Sequence, residues 1–190
     1  MPVGDLVRGY LDHVAGALAR LDVAAIEAAA DELHRARVEG RRVYVLGNGG
    51  SSATADHFAA DLIAAGVAAS SLASNAAVLT AISNDYGYED VFARQLVRLA
   101  KPGELLVAFS ASGASPSVAH AARAARDLGV RTIAFTGFDG GTLRELADVA
   151  VHVPTETGEY GPVEGVHLCV AHAIRHQLWL RAQREDVERR

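Results

Sequence analysis

The sequence predicts an α/β protein with a mostly parallel sheet that is covered by helices on both faces. From Arg42 onward, strand-like apolar runs alternate with segments of helical periodicity. The runs VYVLG, LLVAFS and TIAFTG are almost continuously apolar, which is typical of strands buried on both faces. Hydrophobic residues make up 50% of the 190 positions, enough to bury the core of one domain. We therefore expect a single domain over residues 1–190, with a helical extension at 1–39 and an αβα core at 40–190.

The first two elements are predicted to be amphipathic helices, at about residues 4–20 and 23–38. In the first of them, Leu6, Tyr10, Val14 and Leu18 recur at helical spacing. A helix that precedes every strand has nothing local to cover its apolar face. Packing against another subunit and packing within the chain both remain open for it.

The following elements alternate between strand and helix without a repeat or a low-complexity segment. In an open parallel sheet, ligands bind beyond the carboxyl ends of the strands, so we expect the binding site in the loops that follow the strands. We predict strands at 43–47, 69–74, 105–110, 132–137 and 149–154, and helices at 52–65, about 76–83, 88–99, 115–128, 143–147 and about 162–184.

Charge and composition exclude several classes of partner. The net charge is −5, with 18 Lys and Arg against 23 Asp and Glu, and the basic residues are scattered, so neither nucleic acid nor an anionic membrane is expected as a partner. A single cysteine, Cys169, excludes an intrachain disulfide. The N-terminus lacks the apolar core of a signal peptide, and the apolar stretch 58–82 is too polar to span a bilayer. We expect a cytoplasmic protein.

Two loops of glycine, serine and asparagine follow predicted strands, LGNGGSS at 46–52 and FSASGAS at 109–115. Glycine lets backbone N–H groups converge, serine hydroxyls donate hydrogen bonds, and the N-terminus of the next helix favours an anion. One such loop would read as an ordinary turn. Neither loop fits a P-loop or a dinucleotide fingerprint. Two in the same context predict a site for a phosphomonoester.

His57 and Asp61 lie four residues apart on the helix predicted after the first loop. That spacing places both side chains on one helix face, close to the predicted phosphate. The same spacing can bind zinc. A packed histidine beside a solvated aspartate is the competing interpretation.

An ordered set of motifs resembles the SIS (sugar isomerase) domain, and more narrowly the phosphoheptose (sedoheptulose 7-phosphate) isomerase family. The resemblance implies a three-layer αβα SIS domain with a five-stranded sheet and N-terminal helices. It also implies a homotetramer that isomerises a ketose phosphate, often with a bound zinc ion. The motifs, which span nearly the whole chain, are GNGGSS at 47–52, ADHFAADL at 55–62, ISNDYGYEDVFARQL at 82–96, FSASGAS at 109–115, TGFDGGTL at 136–143 and VEGVHLCVAH at 163–172.

The resemblance also assigns roles to particular residues of this chain. It places a divalent metal, expected to be zinc, on His57, Asp61, Glu164 and His172, and it gives catalytic roles to Asp61, Glu164 and His172. The residues it implies for phosphate and sugar binding are Asn48, Gly49, Gly50, Ser51, Asp85, Ser110, Ser112 and Ser115.

Two departures from the family pattern affect the proposed chemistry. Asp61 stands where the family usually has glutamate, and Glu164 stands where it has glutamine. Misplacing a reacting group by about 1 Å costs around 100-fold in rate. We hypothesise that the carboxylate at 164 takes over the base role from the shorter Asp61, while either carboxylate remains open as the base.

Ala111 is a further departure, which removes one hydroxyl donor from the second loop without dismantling it. Two more affect substrate choice, because a sugar-binding arginine of the family aligns with Ala65 and an aspartate aligns near Gly161. Lost polar contacts change which sugar a site accepts. Glu159 and Tyr160 are candidate substitutes for them.

The resemblance implies conversion of sedoheptulose 7-phosphate into glycero-manno-heptose 7-phosphate through an enediol. This reaction needs a base near neutrality, an acid and a group that stabilises the oxyanion. The alternatives are an isomerase of another sugar phosphate and a non-catalytic SIS module that binds a phosphosugar or a protein partner, as in regulators of replication initiation. Because His57 and His172 are kept with carboxylates at 61 and 164, we favour the enzyme.

Overall fold

The computed structural model describes residues 3–188 of the chain, and the side chains of residues 3–185. Two helices precede five strands that alternate with six further helices. In chain order the elements are α1 (Val3–Ala19), α2 (Val23–Val38), β1 (Val43–Gly47), α3 (Gly50–Ala64), β2 (Ala69–Ser71), α4 (Ala76–Tyr86), a 3₁₀ turn (Tyr88–Asp90), α5 (Ala93–Leu99), β3 (Leu105–Ser110), α6 (Pro116–Asp127), β4 (Arg131–Thr136), α7 (Gly141–Leu146), β5 (Val149–His152) and α8 (Tyr160–Glu188).

The five strands form one parallel sheet in the order β2-β1-β3-β4-β5. From β1 the chain moves outward to β2 and then returns to β3 on the other side of β1, so the strand order reverses between β1 and β3. Gly47 at the end of β1 is paired with Phe109 near the end of β3. This reversal opens a crevice at the carboxyl edge, directly beside both glycine and serine loops.

Alternate residues of the strands face two separate cores, which confirms the expected three-layer αβα architecture. Val43 and Val45 of β1 pack with α1, α2, α3 and α8 on one face of the sheet. Tyr44 and Leu46 pack with α5, α6 and α7 on the other face. Because successive side chains of a strand point to opposite faces, apolar residues at every position are needed to cover both.

Several boundaries differ from those predicted. The segment predicted as one helix at 88–99 is divided into the 3₁₀ turn and α5, because the N–H groups of Asp90 and Val91 donate to carbonyl oxygens three residues earlier instead of four. The second strand ends at Ser71, where the Ser71 hydroxyl accepts a hydrogen bond from the backbone N–H of Ala73 at 3.1 Å. Helix α8 is longer than expected and packs against α1, α2 and α3.

Two helices show large exposed surfaces within the described chain. Helix α1 exposes Val3, Leu6, Val7, Tyr10 and Leu11, and α4 buries none of its residues. These surfaces leave open which of the two helices packs against another subunit, so the assembly remains a prediction. No helix in residues 3–188 is long and apolar enough to cross a membrane.

Candidate active site

An open cavity of about 260 Å³ lies at the carboxyl ends of β1 and β3. We name it the serine cavity. It brings together all the predicted phosphate and sugar ligands except Asp85, which is exposed on α4 and accepts a hydrogen bond from the Asn84 amide. The lining consists of Asn48, Gly49, Gly50, Ser51, Phe109, Ser110, Ala111, Ser112, Ser115, Tyr160 and Glu164.

The first loop shapes the cavity through its backbone. Gly49 has a φ of +55° and caps α3 without a side-chain hydrogen bond. Helix α3 therefore begins at Gly50, two residues earlier than predicted, and its N-terminal turn lies in the cavity wall. The first N–H groups of a helix have no partner within the helix and attract an anion.

The second loop, at 109–115, packs against the loop that follows β4, and this contact fixes its backbone. Gly113 has a φ of +63°, and a side chain there would collide with the carbonyl oxygen of Gly140. The Gly113 carbonyl accepts a hydrogen bond from the N–H of Leu143, and its own N–H donates to the Ser110 hydroxyl at 3.1 Å. Only glycine fits this close approach of two loops.

A second group of side chains joins α3 to α8. The Nε2 atoms of His57 and His172 are 2.9 Å apart, and they lie 3.5 and 3.8 Å from Oδ2 of Asp61. We name these three residues the histidine cluster. Their ligand atoms all lie within 4.8 Å of one another, a spacing at which they could hold one metal ion. Two imidazoles and a carboxylate form a donor set that suits zinc and other divalent transition ions.

One atom of the histidine cluster points to a missing partner. Oδ2 of Asp61 is buried, and within the described residues it accepts no hydrogen bond. A buried carboxylate oxygen without a hydrogen bond is costly. A cation held by the cluster would satisfy this oxygen, so the residues present fit a divalent metal.

Glu164 lies apart from the histidine cluster. A side chain at position 50 would collide with the Glu164 carboxylate, which places that carboxylate against Gly50, inside the serine cavity. The structure therefore brings together three of the four predicted metal ligands and puts the fourth at the N-terminus of α3. The metal role of Glu164 remains a prediction.

The two candidate substitutes for the missing sugar contacts are separated by the structure. Tyr160 lines the serine cavity and packs edge-on against Phe138. Glu159 accepts a hydrogen bond from the backbone N–H of Glu156 and pairs with His13 at 2.9 Å. These contacts, the backbone hydrogen bond above all, hold the pKa of Glu159 below its usual range. Tyr160 is thus the substitute that reaches the cavity.

Sequence reasoning missed Tyr88 as a residue of this region. Its hydroxyl donates to the Asn48 side-chain oxygen at 2.8 Å, although the two residues are 40 positions apart. Tyr88 belongs to the motif at 82–96 that the sequence singles out as a whole. Nothing in that motif distinguishes this tyrosine from Tyr86, because the contact depends on the 3₁₀ turn.

Another histidine of α8, His167, belongs to the core. His167 is 1% exposed and packs edge-on against Phe109 and Phe135, and its Nε2–H donates to the carbonyl oxygen of Thr136 at 3.2 Å. Burial lowers its pKa to about 4. His167 is therefore neutral near pH 7, as expected of a packed histidine.

Comparison with known proteins agrees with the fold. A family model described as SIS domain matches residues 9–137, more than half of the chain. A phosphoheptose isomerase of Mycobacterium bovis (strain BCG) is 43% identical over 165 residues, which cover 84% of this chain and 83% of that protein. Solved phosphoheptose isomerases of Neisseria gonorrhoeae and Francisella tularensis have TM-scores of 0.86 and 0.88 and are 30% and 28% identical, and the alignments cover 93% and 94% of this chain and 98% of each of theirs.

The parallel sheet with a serine-lined cavity at its switch point is thus that of an SIS domain, and the chain belongs to the SIS-domain family. Within that family it belongs to the phosphoheptose isomerases. The resemblance on which the sequence reading relied is confirmed.

Proposed function

We propose that this protein is an aldose–ketose isomerase that converts sedoheptulose 7-phosphate into glycero-manno-heptose 7-phosphate. One observation carries the proposal: helix α3 places Ser51 in the serine cavity and, one and a half to three turns further on, His57 and Asp61 in the histidine cluster. A phosphate-binding wall and a group of proton-transfer and metal-binding side chains therefore share one rigid element. Such an arrangement suits a substrate with a phosphate at one end and a carbonyl at the other.

The phosphate end is held by hydroxyls and backbone N–H groups. Ser51, Ser110, Ser112 and Ser115 line the cavity together with the N-terminal turn of α3. Within the described residues no lysine or arginine lines it, so neutral donors and the helix dipole bind the anion. Asn48 and Tyr160 remain for the sugar hydroxyls.

The reaction moves a proton between neighbouring carbons. A base removes a proton from carbon 1 of the ketose while an acid protonates the carbonyl oxygen on carbon 2, which gives the enediol. Return of a proton to carbon 2 and loss of the hydroxyl proton from oxygen 1 complete the aldose. We assign the base to Asp61 or Glu164, and the acid to His172, because an imidazole can hold or release a proton near neutral pH.

The histidine cluster would hold a divalent metal, with zinc as the expected ion. His57, Asp61 and His172 would be its ligands, and Glu164 would join them only after leaving Gly50. When bound, such an ion polarises a carbonyl oxygen and stabilises the charge that develops on it. A ring nitrogen that ligated the ion could not also carry the acidic proton, so one nitrogen of His172 would not be ligand and acid at the same time.

Glu164 and the substrate phosphate compete for the same end of the serine cavity. Both are anions, and the carboxylate lies at the helix N-terminus where a phosphate would be bound. Binding of the phosphate therefore requires Glu164 to turn away from Gly50. This movement would bring the carboxylate toward the reacting end of the sugar, in keeping with a role as base.

We further propose a homotetramer in the cytoplasm. The exposed apolar residues of α1 and the absence of buried residues from α4 support packing between subunits. Light scattering on a sizing column measures the assembly directly, and a monomer at micromolar concentration would contradict this part of the proposal.

The function is tested by incubating the purified protein with sedoheptulose 7-phosphate and a panel of ketose and aldose phosphates, with zinc and after chelation. Nuclear magnetic resonance follows the appearance of each isomer. We expect turnover of sedoheptulose 7-phosphate. Turnover of another sugar alone would correct the substrate, and binding without turnover across the panel would instead favour a non-catalytic phosphosugar-binding module.

The base is tested with Glu164→Gln. If Glu164 is the base, turnover falls by about 100-fold or more, whereas the affinity for inorganic phosphate is kept or raised because a competing anion is gone. Glu159→Gln is the matched control, since that carboxylate lies outside the cavity lining. Intact turnover in Glu164→Gln would assign the base to Asp61.

A further inference from the structure

Asn48 is held at both ends of its side-chain amide. Its Oδ1 accepts a hydrogen bond from the Tyr88 hydroxyl at 2.8 Å, and its Nδ2 donates to the Ser117 hydroxyl at 2.9 Å. Asn48 is also part of the lining of the serine cavity. One N–H of the amide therefore remains for a ligand, and the oxygen is already engaged.

The two partners of Asn48 are themselves fixed. Ser117 is 2% exposed in the first turn of α6. Tyr88 begins the 3₁₀ turn, whose Asp90 accepts a hydrogen bond from Arg94 at 3.0 Å and faces His120 at 3.4 Å. These contacts tie the turn to α5 and α6 and hold the pKa of Asp90 below its usual range, with the Arg94 hydrogen bond as the main cause.

We infer that Tyr88 is a positioning residue, which acts through Asn48 by keeping the amide N–H, and not its oxygen, available to the sugar phosphate. A free amide can turn by half a rotation and present its oxygen to an anionic or hydroxyl-rich ligand. The Tyr88 hydroxyl opposes that rotation, because turning the amide would break the hydrogen bond that the phenol donates to Oδ1 and the one that Nδ2 donates to Ser117. This inference rests on the proposed function for its effect on turnover, but the Asn48 orientation itself does not.

Tyr86, two residues before Tyr88, offers a matched control. Tyr86, at the end of α4, stacks on Arg94, whose guanidinium carbon lies 3.4 Å from the ring centre. Its hydroxyl is not among the groups that bond to Asn48. Tyr86→Phe removes the same atom as Tyr88→Phe from the same surface, without touching the amide.

The first measurement is independent of activity. The chain has three asparagines, Asn48, Asn75 and Asn84. Labelling them with ¹⁵N gives three pairs of side-chain amide signals, and Asn48→Ala identifies the pair of Asn48. We expect Tyr88→Phe to shift or broaden that pair, whereas Tyr86→Phe leaves it in place. An unchanged Asn48 pair in Tyr88→Phe would overturn the inference.

The second measurement separates positioning from general stability. For Tyr88→Phe we expect KM for sedoheptulose 7-phosphate to rise by about 2- to 10-fold, the worth of one hydrogen bond, with kcat nearly unchanged. In an Asn48→Ala background the same change should have no further effect. An equal effect in both backgrounds would contradict action through Asn48.

Failure of the proposed function is distinguishable from failure of this inference. If the wild-type protein turns over no sugar, binding of sedoheptulose 7-phosphate is titrated with the labelled protein in place of turnover. The inference then predicts weaker binding of this sugar phosphate in Tyr88→Phe than in Tyr86→Phe. Equal affinities, combined with an unchanged Asn48 signal, would reject it.

Discussion

The serine cavity and the histidine cluster share helix α3 but are built in different ways. The cavity is made by two loops that each follow a strand, and glycines at positions 49 and 113 determine its backbone. The cluster is made by side chains on two helices, α3 and α8, and its two histidines, His57 and His172, are 115 positions apart in the chain. The cavity contains donors that suit an anion, whereas the cluster contains acceptors that suit a cation or a proton.

Because of this difference, the serine cavity and the histidine cluster should be sensitive to different kinds of substitution. The cavity depends on exact backbone shape, so a single methyl group can damage it. The cluster depends on the chemistry of three side chains, and Oδ2 of Asp61 lacks a hydrogen bond there. Changes in the cavity should therefore affect folding and phosphate affinity, and changes in the cluster should affect turnover and metal content.

The largest expected effect is that of His172→Ala. Removing this imidazole should lower turnover by about 1000-fold, because it takes part in both proton transfer and metal binding, while the affinity for inorganic phosphate stays the same. Steady-state kinetics and phosphate titration measure the two properties on one sample. His176→Ala is the control, since His176 is exposed one turn further along α8 and stacks on Trp179. Equal losses in both variants would contradict a specific role.

Gly113→Ala should break the cavity. The added methyl group collides with the carbonyl oxygen of Gly140 at a positive φ, so we expect a loss of about 3 kcal/mol or more in the free energy of unfolding. Gly129 also has a positive φ, of +72°, but its Cβ would meet its nearest neighbour only at 3.7 Å. Urea denaturation should therefore rank Gly113→Ala well below Gly129→Ala, and the reverse order would show that the loop contact is unimportant.

Asp61→Asn should weaken metal binding by at least about 10-fold, since it removes the negative charge from the histidine cluster. Zinc content after dialysis against a competing chelator gives the measurement. Asp56→Asn on the same helix is exposed and serves as the control. Wild-type zinc content in Asp61→Asn would exclude Asp61 as a ligand.

Much of this arrangement could be predicted from the sequence, because it follows from local patterns. Apolar runs identified the strands, and the position of the loops after those strands identified the cavity. Spacing placed His57 and Asp61 on one face of α3. His172 was found only through the resemblance, since no local pattern shows which residues of α8 meet α3.

The residues that the sequence could not place depend on side-chain direction or on a second chain. Glu164 was grouped with the metal ligands, but its direction from the first turn of α8 takes it to Gly50. Asp85 is exposed on α4, a helix with no fully buried residue in the described chain, so its surroundings depend on what covers that helix. Tyr88 escaped notice because helical periodicity does not show that the segment 88–99 begins with a 3₁₀ turn.

The last expected effect concerns the core beneath the serine cavity and the histidine cluster. His167 has a pKa of about 4 in the folded protein, below the ordinary value of 6.5, so the unfolded chain takes up its proton first as the pH falls. The stability it contributes is complete above pH 6.5 and declines toward pH 4, by about 2 kcal/mol at pH 5.

His167→Gln keeps a hydrogen-bond donor but does not titrate. Its free energy of unfolding should therefore fall less steeply than that of the wild type over this range of pH. Denaturation curves at pH 7 and pH 5 for both proteins give the comparison. Parallel losses in the two proteins would assign the acid sensitivity to other groups.

The central claim is that the serine cavity and the histidine cluster act on one sugar phosphate through proton transfer at carbon. Proton magnetic resonance of sedoheptulose 7-phosphate in D₂O tests it most directly. The account predicts that the wild-type protein and His176→Ala form an aldose that carries deuterium on carbon 2, and that return of the enediol to the ketose exchanges one carbon-1 hydrogen for deuterium. His172→Ala should do neither. Wild-type protein that binds the sugar without any exchange or isomer formation would contradict the account.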